Sequence, residues 1–338
     1  DAMLAKIGRI HGGEEARRAI EAARSHFERV NLDLMYALPG QTPDMALADL
    51  ETAIGFGVQH LSCYHLTLEP NTPFAHNPPP LPDDDTAADM QEAIEARLAD
   101  AGFAHYETSA FARPHEQSRH NLNYWTFGDY LGIGPGAHGK LSSHEGIRRE
   151  MRHKHPGRYL EGAARGDFIQ EAREVSVAEL PFEFMMNALR LTEGVPAKLF
   201  AARTGVPIEA ITDVLAQARE RGLLEMAAHQ LRPTLQGRRF LNELLQVFLV
   251  GQSGLRDRIV NSALQPLAQR IGAACHLPAM DALTTGEYVR HRLKAVGGAD
   301  WIINIVGFGV ISPYAGWALS GRPLTGPITV ILVGFGFG

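Results

Sequence analysis

One short run in this chain of 338 residues gathers side chains that could hold a flat, metal-bearing ligand: His120-Asn121-Leu122-Asn123-Tyr124-Trp125. A neutral imidazole nitrogen is a common ligand for iron, including the iron of haem. The rings of Tyr124 and Trp125 offer flat faces to a porphyrin and polar tips to its edge. Asn121 could fix the imidazole tautomer or bond a propionate, and Arg113 and Arg119 could pair such carboxylates. The same residues would also serve as an ordinary loop held by one hydrogen-bonded histidine and a small aromatic cluster. Residue types alone leave both readings open.

Two further runs carry chemistry. Leu131 to Gly139 places four glycines in eight positions, which lets backbone amides approach a ligand closely. Pro135 interrupts it and no ribose-binding acid follows, so it is not a dinucleotide fingerprint. It would serve equally as a tight turn after a strand at Tyr130. In the other run, Asn31 to Thr42, a buried strand leads to Gln41. That amide could bond an amino-acid head group or a ribose, or simply cap a turn.

These residues need a scaffold. Ala16–Val30 reads as a helix, Asn31–Tyr36 as a buried strand ended by Pro39-Gly40, and Pro43–Gly55 as a helix capped by Thr42. Leu61–Leu68 reads as a strand, Asp83–Ala101 as a helix with an acidic first turn, and His105–Phe111 as a further strand. Such repeats imply an α/β fold with a parallel sheet, whose chemistry sits at the C-terminal ends of strands. The prolines at 78–80 and 82 read as a stiff linker. Beyond them, Glu179–Leu191, Ala197–Thr204, Ile208–Arg221 and Gly237–Leu249 read as helices, with a small hairpin over 223–234, a winged-helix-like pattern. Its third helix carries Glu209, Asp213 and Glu220 beside Arg219 and Arg221, so it predicts packing or a lid rather than DNA reading.

Composition is that of a globular chain, 45% hydrophobic and 21% charged, and the net charge of -6 gives no case for nucleic acid. The start shows no signal-peptide pattern and reads as the inside of a domain. Only Cys63 and Cys275 are present, too few for an iron–sulfur cluster and arguing against a disulfide framework or a zinc ribbon.

The sequence resembles the oxygen-independent coproporphyrinogen oxidase family of radical-SAM proteins, and within it the haem-chaperone branch. The resemblance rests on NLDLMYALPGQT at 31–42, CYHLTLEPNTPF at 63–74, PPPLPDDDTAADMQEA at 78–93 and RHNLNYWTFGDYLGIGPGAHGKL at 119–141. LRPTLQGRRFLNELLQVFL at 231–249 approaches the family's ending. The resemblance implies a partial (βα) radical-SAM barrel over 1–175 and a winged-helix-like C-terminal domain over 176–249. It implies a cytoplasmic protein of porphyrin metabolism that binds haem, S-adenosylmethionine and a 4Fe–4S cluster and passes haem to acceptor proteins. His120, Asn121, Tyr124 and Trp125 match the haem motif, with His120 the candidate iron ligand. Gln41 matches a position that contacts S-adenosylmethionine, and the backbone at Ala137 and His138 one beside its adenine. The CxxxCxxC cluster motif has no counterpart in this chain, which is therefore expected to do no radical chemistry by itself and has no assigned catalytic residue.

The remainder has a different character. Residues 246–298 resemble the sensor-to-lid part of a general-secretion-type AAA ATPase, and 250–299 reads as a helical fragment of one. Arg270 matches an arginine that would reach a neighbour's nucleotide. No GxxxxGK motif followed by Ser or Thr occurs, so ATP binding is not expected. Trp301–Gly321 is free of charge and long enough to cross a bilayer, and a second apolar run follows Arg322. The 300–338 tail is thus expected to be apolar and membrane-associated if genuine, and the three unlike pieces suggest a chimeric reading frame. Two other functions compete with haem trafficking: a coproporphyrinogen III oxidase shortened at its N-terminus, and a secretion ATPase fragment or membrane adaptor.

Overall fold

The computed structural model describes residues 2–68, 72–225, 227, 229–250, 303–306 and 329–333. Contacts divide the chain into two units. The first holds Asp1–His105 and Ser109–Ser118 with the tail strands; the second holds Tyr106–Thr108 and the chain from Arg119 onward through the helical region. The contact division falls at 118/119, where the sequence placed a domain boundary at 175/176.

In the first unit the elements are α1 (Ala2–Lys6), α2 (Gly13–His26), β1 (Arg29–Tyr36), α3 (Pro43–Gly55), β2 (His60–His65), α4 (Pro73–His76), α5 (Asp84–Asp100), β3 (Ala104–Glu107, its last two residues counted with the second unit) and β4 (Ala110–Ala112). Local signals start the two long crossover helices. The Thr42 hydroxyl accepts from the Met45 amide at 3.3 Å with Pro43 in the first turn. The Asp83 carboxylate accepts from the Thr86 amide at 2.7 Å. β1 and β2 run parallel, joined by α3, with Asn31 opposite His60 and Leu32 opposite Leu61.

Side chains alternate across this sheet. Val30, Leu32 and Tyr36 of β1 and Leu61 and Cys63 of β2 join one buried cluster with Leu50 of α3 and Met90, Ile94 and Leu98 of α5. Each such aliphatic side chain contributes about 1.5–3 kcal/mol by leaving water. Asn31 and Asp33, with His60 and Ser62, therefore occupy the other face.

Three expectations change here. The helix expected over 16–30 ends at His26, because the chain must become extended to pair β1 with β2. The strand expected over 105–111 is a hairpin: β3 and β4 fold back at Thr108-Ser109, with His105 stacked on Phe111 at 4.3 Å. β4 then pairs antiparallel to β2, so the sheet is mixed rather than purely parallel.

The second unit contains α6 (Arg119–Trp125), β5 (His138–Ser142), β6 (Ile147–Arg152), α7 (Pro156–Arg165), β7 (Ile169–Glu174), α8 (Leu180–Ala188), β8 (Val195–Pro196), α9 (Lys198–Thr204), a 3-10 turn at Ile208–Ile211, α10 (Thr212–Glu220), β9 (Gln230–Leu231), α11 (Leu235–Arg239) and α12 (Leu241–Val250). β5, β6 and β7 form an antiparallel meander. Every residue of α8 is buried, and Phe184 meets Phe127 and Phe200 edge-on. Helices expected whole are split. Ile208–Arg221 begins as the 3-10 turn, and Gly237–Leu249 belongs to two helices that break at Phe240. The expected hairpin over 223–234 is reduced to a Leu224–Pro233 bridge, while β9 pairs with β8.

Two tail strands, β10 (Ile303–Val306) and β11 (Thr329–Val333), pair in parallel, and β11 lies parallel to β1. Where the apolar stretch expected to span a membrane is described, at 303–306, it is a strand. Among the described residues no helix is long and apolar enough to cross a membrane. The AAA-like stretch from 251 to 298, with Arg270, lies outside the described residues.

Candidate functional site

The run His120–Trp125 forms most of α6, a helix of seven residues with no fully buried member. Residues four apart share a helix face, so His120 and Tyr124 meet. Their rings lie edge to face with centroids 4.5 Å apart. Tyr124 in turn packs on Tyr130 at 4.2 Å and reaches Trp125 at 6.5 Å. Burial pushes the His120 imidazole down to about 4, so it is neutral at pH 7, the form that ligates a metal. Trp125 is covered by the Arg190 guanidinium at 4.4 Å, and among the described residues its buried indole Nε1 has no hydrogen-bond partner. Asn121 is half-buried on the same helix.

The loop that follows is built for close backbone packing. A side chain at Gly132 would collide with the His138 carbonyl, and one at Gly128 with Asn123. Tyr130 exchanges backbone hydrogen bonds with Lys140 at 2.9 and 3.0 Å. Lys140 is almost wholly buried, and its ammonium donates to the Phe127 carbonyl (3.1 Å), the Asp129 carboxylate (2.8 Å) and the Ser142 hydroxyl (3.1 Å). Burial lowers its pKa, against the pull of Asp129.

The glycine-loop amides turn inward. Gly134 donates to the Tyr159 hydroxyl at 3.1 Å and Gly136 to the His153 carbonyl at 2.9 Å. Ala137 donates to the Gly134 carbonyl at 3.2 Å and accepts from the Arg152 amide at 2.8 Å. His138 keeps an exposed side chain on β5.

Gln41, in the first unit, is buried and closes the β1–α3 turn. Its Oε1 accepts from the Leu38 amide at 3.1 Å and its Nε2 donates to Asp49 at 3.2 Å. Arg113 is likewise engaged, with its guanidinium on the Ala101 carbonyl and over the Phe103 ring. Arg119 is exposed at the start of α6.

Sequence reasoning missed a polar network on the sheet face opposite the helices. The Asn31 Oδ1 atom accepts from Ser62 at 3.1 Å and faces His60 Nδ1 at 2.6 Å, while its Nδ2 donates to Asp33 at 2.7 Å. His60 Nδ1 therefore carries the proton of a neutral ring. Burial, helped by the Arg29 charge, lowers its pKa to about 4. The polar–apolar alternation in Asn31-Leu32-Asp33-Leu34 was the available signal.

The fit to an iron–sulfur cluster fails on the thiols. Cys63 is buried in the apolar cluster, and burial and the Asp33 charge raise its thiol to about 12, far from a thiolate ligand. Among the described residues no group of three metal-ligating side chains converges. For S-adenosylmethionine, Gln41 and the Ala137 backbone already have intramolecular partners, so neither offers an orphaned polar atom.

The solved structure titled as Escherichia coli coproporphyrinogen III oxidase (HemN), a radical SAM enzyme, shares the fold at a TM-score of 0.59 and 17% identity, over 73% of this chain and 61% of that one. Residues 175–240 match the HemN C-terminal domain family. Haem chaperone HemW of Haemophilus influenzae is 45% identical over 251 residues, 74% of this chain and 64% of that protein. Haem chaperone HemW of Escherichia coli is 45% identical over 248 residues, 73% of this chain and 65% of that protein. Over the matched residues the chain is similar to these haem chaperones, and its residues 175–240 to the HemN C-terminal domain. It spans slightly less than two thirds of the length of these relatives.

Proposed function

We propose that the chain is part of a haem-trafficking chaperone and that α6 forms its haem-contacting face. The observation that carries this reading is a neutral imidazole, His120, set edge to face against Tyr124, in a chain whose relatives at 45% identity are named haem chaperones. Haem is the cargo. His120 would ligate its iron, Tyr124 and Trp125 would pack against the porphyrin, and Asn121 would bond its polar edge. Acceptor proteins for the haem and a cytoplasmic site of action belong to the same reading. An oxidase role has less support, because the likeness to the oxidase is one of fold at 17% identity.

The contacts of S-adenosylmethionine expected at Gln41, Ala137 and His138 remain an inference from family resemblance. Haem titration followed by the Soret band, with His120→Ala as the control, tests the reading.

A further inference from the structure

The sequence marks Tyr130 only as a strand before the glycine run, yet it joins α6 to a buried ion pair between β6 and α8, Arg149 with Glu183. Its backbone is pinned by the two hydrogen bonds to Lys140. Its hydroxyl accepts from Arg149 Nη1 at 3.0 Å. The same guanidinium grips Glu183 through Nε at 2.8 Å and Nη2 at 2.5 Å. Glu183 is only 4% exposed and is also held by Arg173 at 3.0 Å. Burial opposes the Arg149 charge, but Glu183 and Tyr130 outweigh it and raise its pKa, so the anchor is permanently cationic. A chain of contacts thus runs from the buried Glu183 carboxylate through Arg149, Tyr130 and Tyr124 to the His120 imidazole.

We propose that Tyr130 is a positioning residue for the α6 face: tethered by Arg149, it fixes the plane of Tyr124 and through it the orientation of His120. The functional part of this inference rests on the haem reading above. The physical need is plain. A seven-residue helix with no fully buried side chain does not hold its rings in one rotamer by itself, and a flat ligand needs fixed planes. A ring stacked from behind and locked by a charge-assisted hydrogen bond supplies that constraint.

Tyr130→Phe separates tethering from packing. It removes the hydroxyl, keeps the ring, and leaves the Arg149–Glu183 pair intact. Tyr130→Leu removes the ring as well. In the haem-free protein, the His120 imidazole proton resonances at fixed neutral pH should move in both variants, more in Tyr130→Leu. Tyr159→Phe, which removes the α7 hydroxyl bonded to the Gly134 amide of the neighbouring loop, should leave them in place. Tyr130→Phe should also weaken haem binding about tenfold, the loss expected for one hydrogen bond to a charged donor. Unmoved His120 resonances in both Tyr130 variants overturn the proposal, whatever happens to haem affinity. Shifted resonances in a protein that fails to bind haem would leave the positioning role standing and remove the haem reading instead.

Discussion

The Arg190 guanidinium lies 4.4 Å from the centre of the Trp125 ring and 3.8 Å from the buried carboxylate of Glu107. The indole of the α6 motif is therefore held by a cation that is itself held by an anion. A double-mutant cycle with Arg190→Met and Trp125→Leu should give a coupling of about 0.5–2 kcal/mol in urea unfolding. Strictly additive effects would show that the stack contributes nothing.

His60 should make stability depend on pH. Its folded-state pKa is about 4 against an ordinary 6.5. Between those values the unfolded chain binds a proton that the folded chain refuses. The contribution is full above pH 6.5 and falls as pH drops toward 4, by about 1.4 kcal/mol per pH unit at most. His120 acts in the same direction. Urea midpoints at pH 7.5 and pH 5 should differ, and His60→Gln should reduce the difference. An equal pH dependence in that variant argues against a buried neutral His60.

The two carboxylates of comparable ion pairs should behave differently. Glu183 is buried between Arg149 and Arg173, and Glu183→Gln strands both charges at a cost of about 3–5 kcal/mol. Glu51 pairs with Arg97 in the open, and Glu51→Gln should leave the urea midpoint where it is. Similar losses from both substitutions would overturn this ranking.

Gly132 packs against the His138 carbonyl without room for a side chain. Gly132→Ala should destabilise the protein by about 1–3 kcal/mol through backbone displacement. An unchanged melting temperature would mean that the Tyr130–Lys140 bridge is looser than described.

What the sequence disclosed was mostly local. Thr42 before Pro43 and Asp83 before Asp84-Asp85 mark the starts of α3 and α5 because the capping partners lie within three residues. The hairpin at Thr108-Ser109 was hidden because its determinants, the His105–Phe111 stack and the Cys63–Ser109 hydrogen bond, are tertiary. The meander was hidden by its own charges. Strand β6 reads Ile-Arg-Arg-Glu-Met-Arg, and nothing local says that Arg149 finds Glu183, 34 residues on. For the candidate site, residue types and the spacing of His120 and Tyr124 were legible. The roles of Gln41 and the glycine run were not, because a side-chain amide or a loop amide looks the same in sequence whether it faces a ligand or its own turn.

The central claim, a haem-contacting face on α6, is tested most directly by titrating the purified chain with ferric haem. The account predicts saturable binding with a Soret band shifted from that of free haem, and loss of that shift in His120→Ala while the far-ultraviolet circular dichroism is retained. A wild-type band identical to free haem, or one unaltered by His120→Ala, would contradict it.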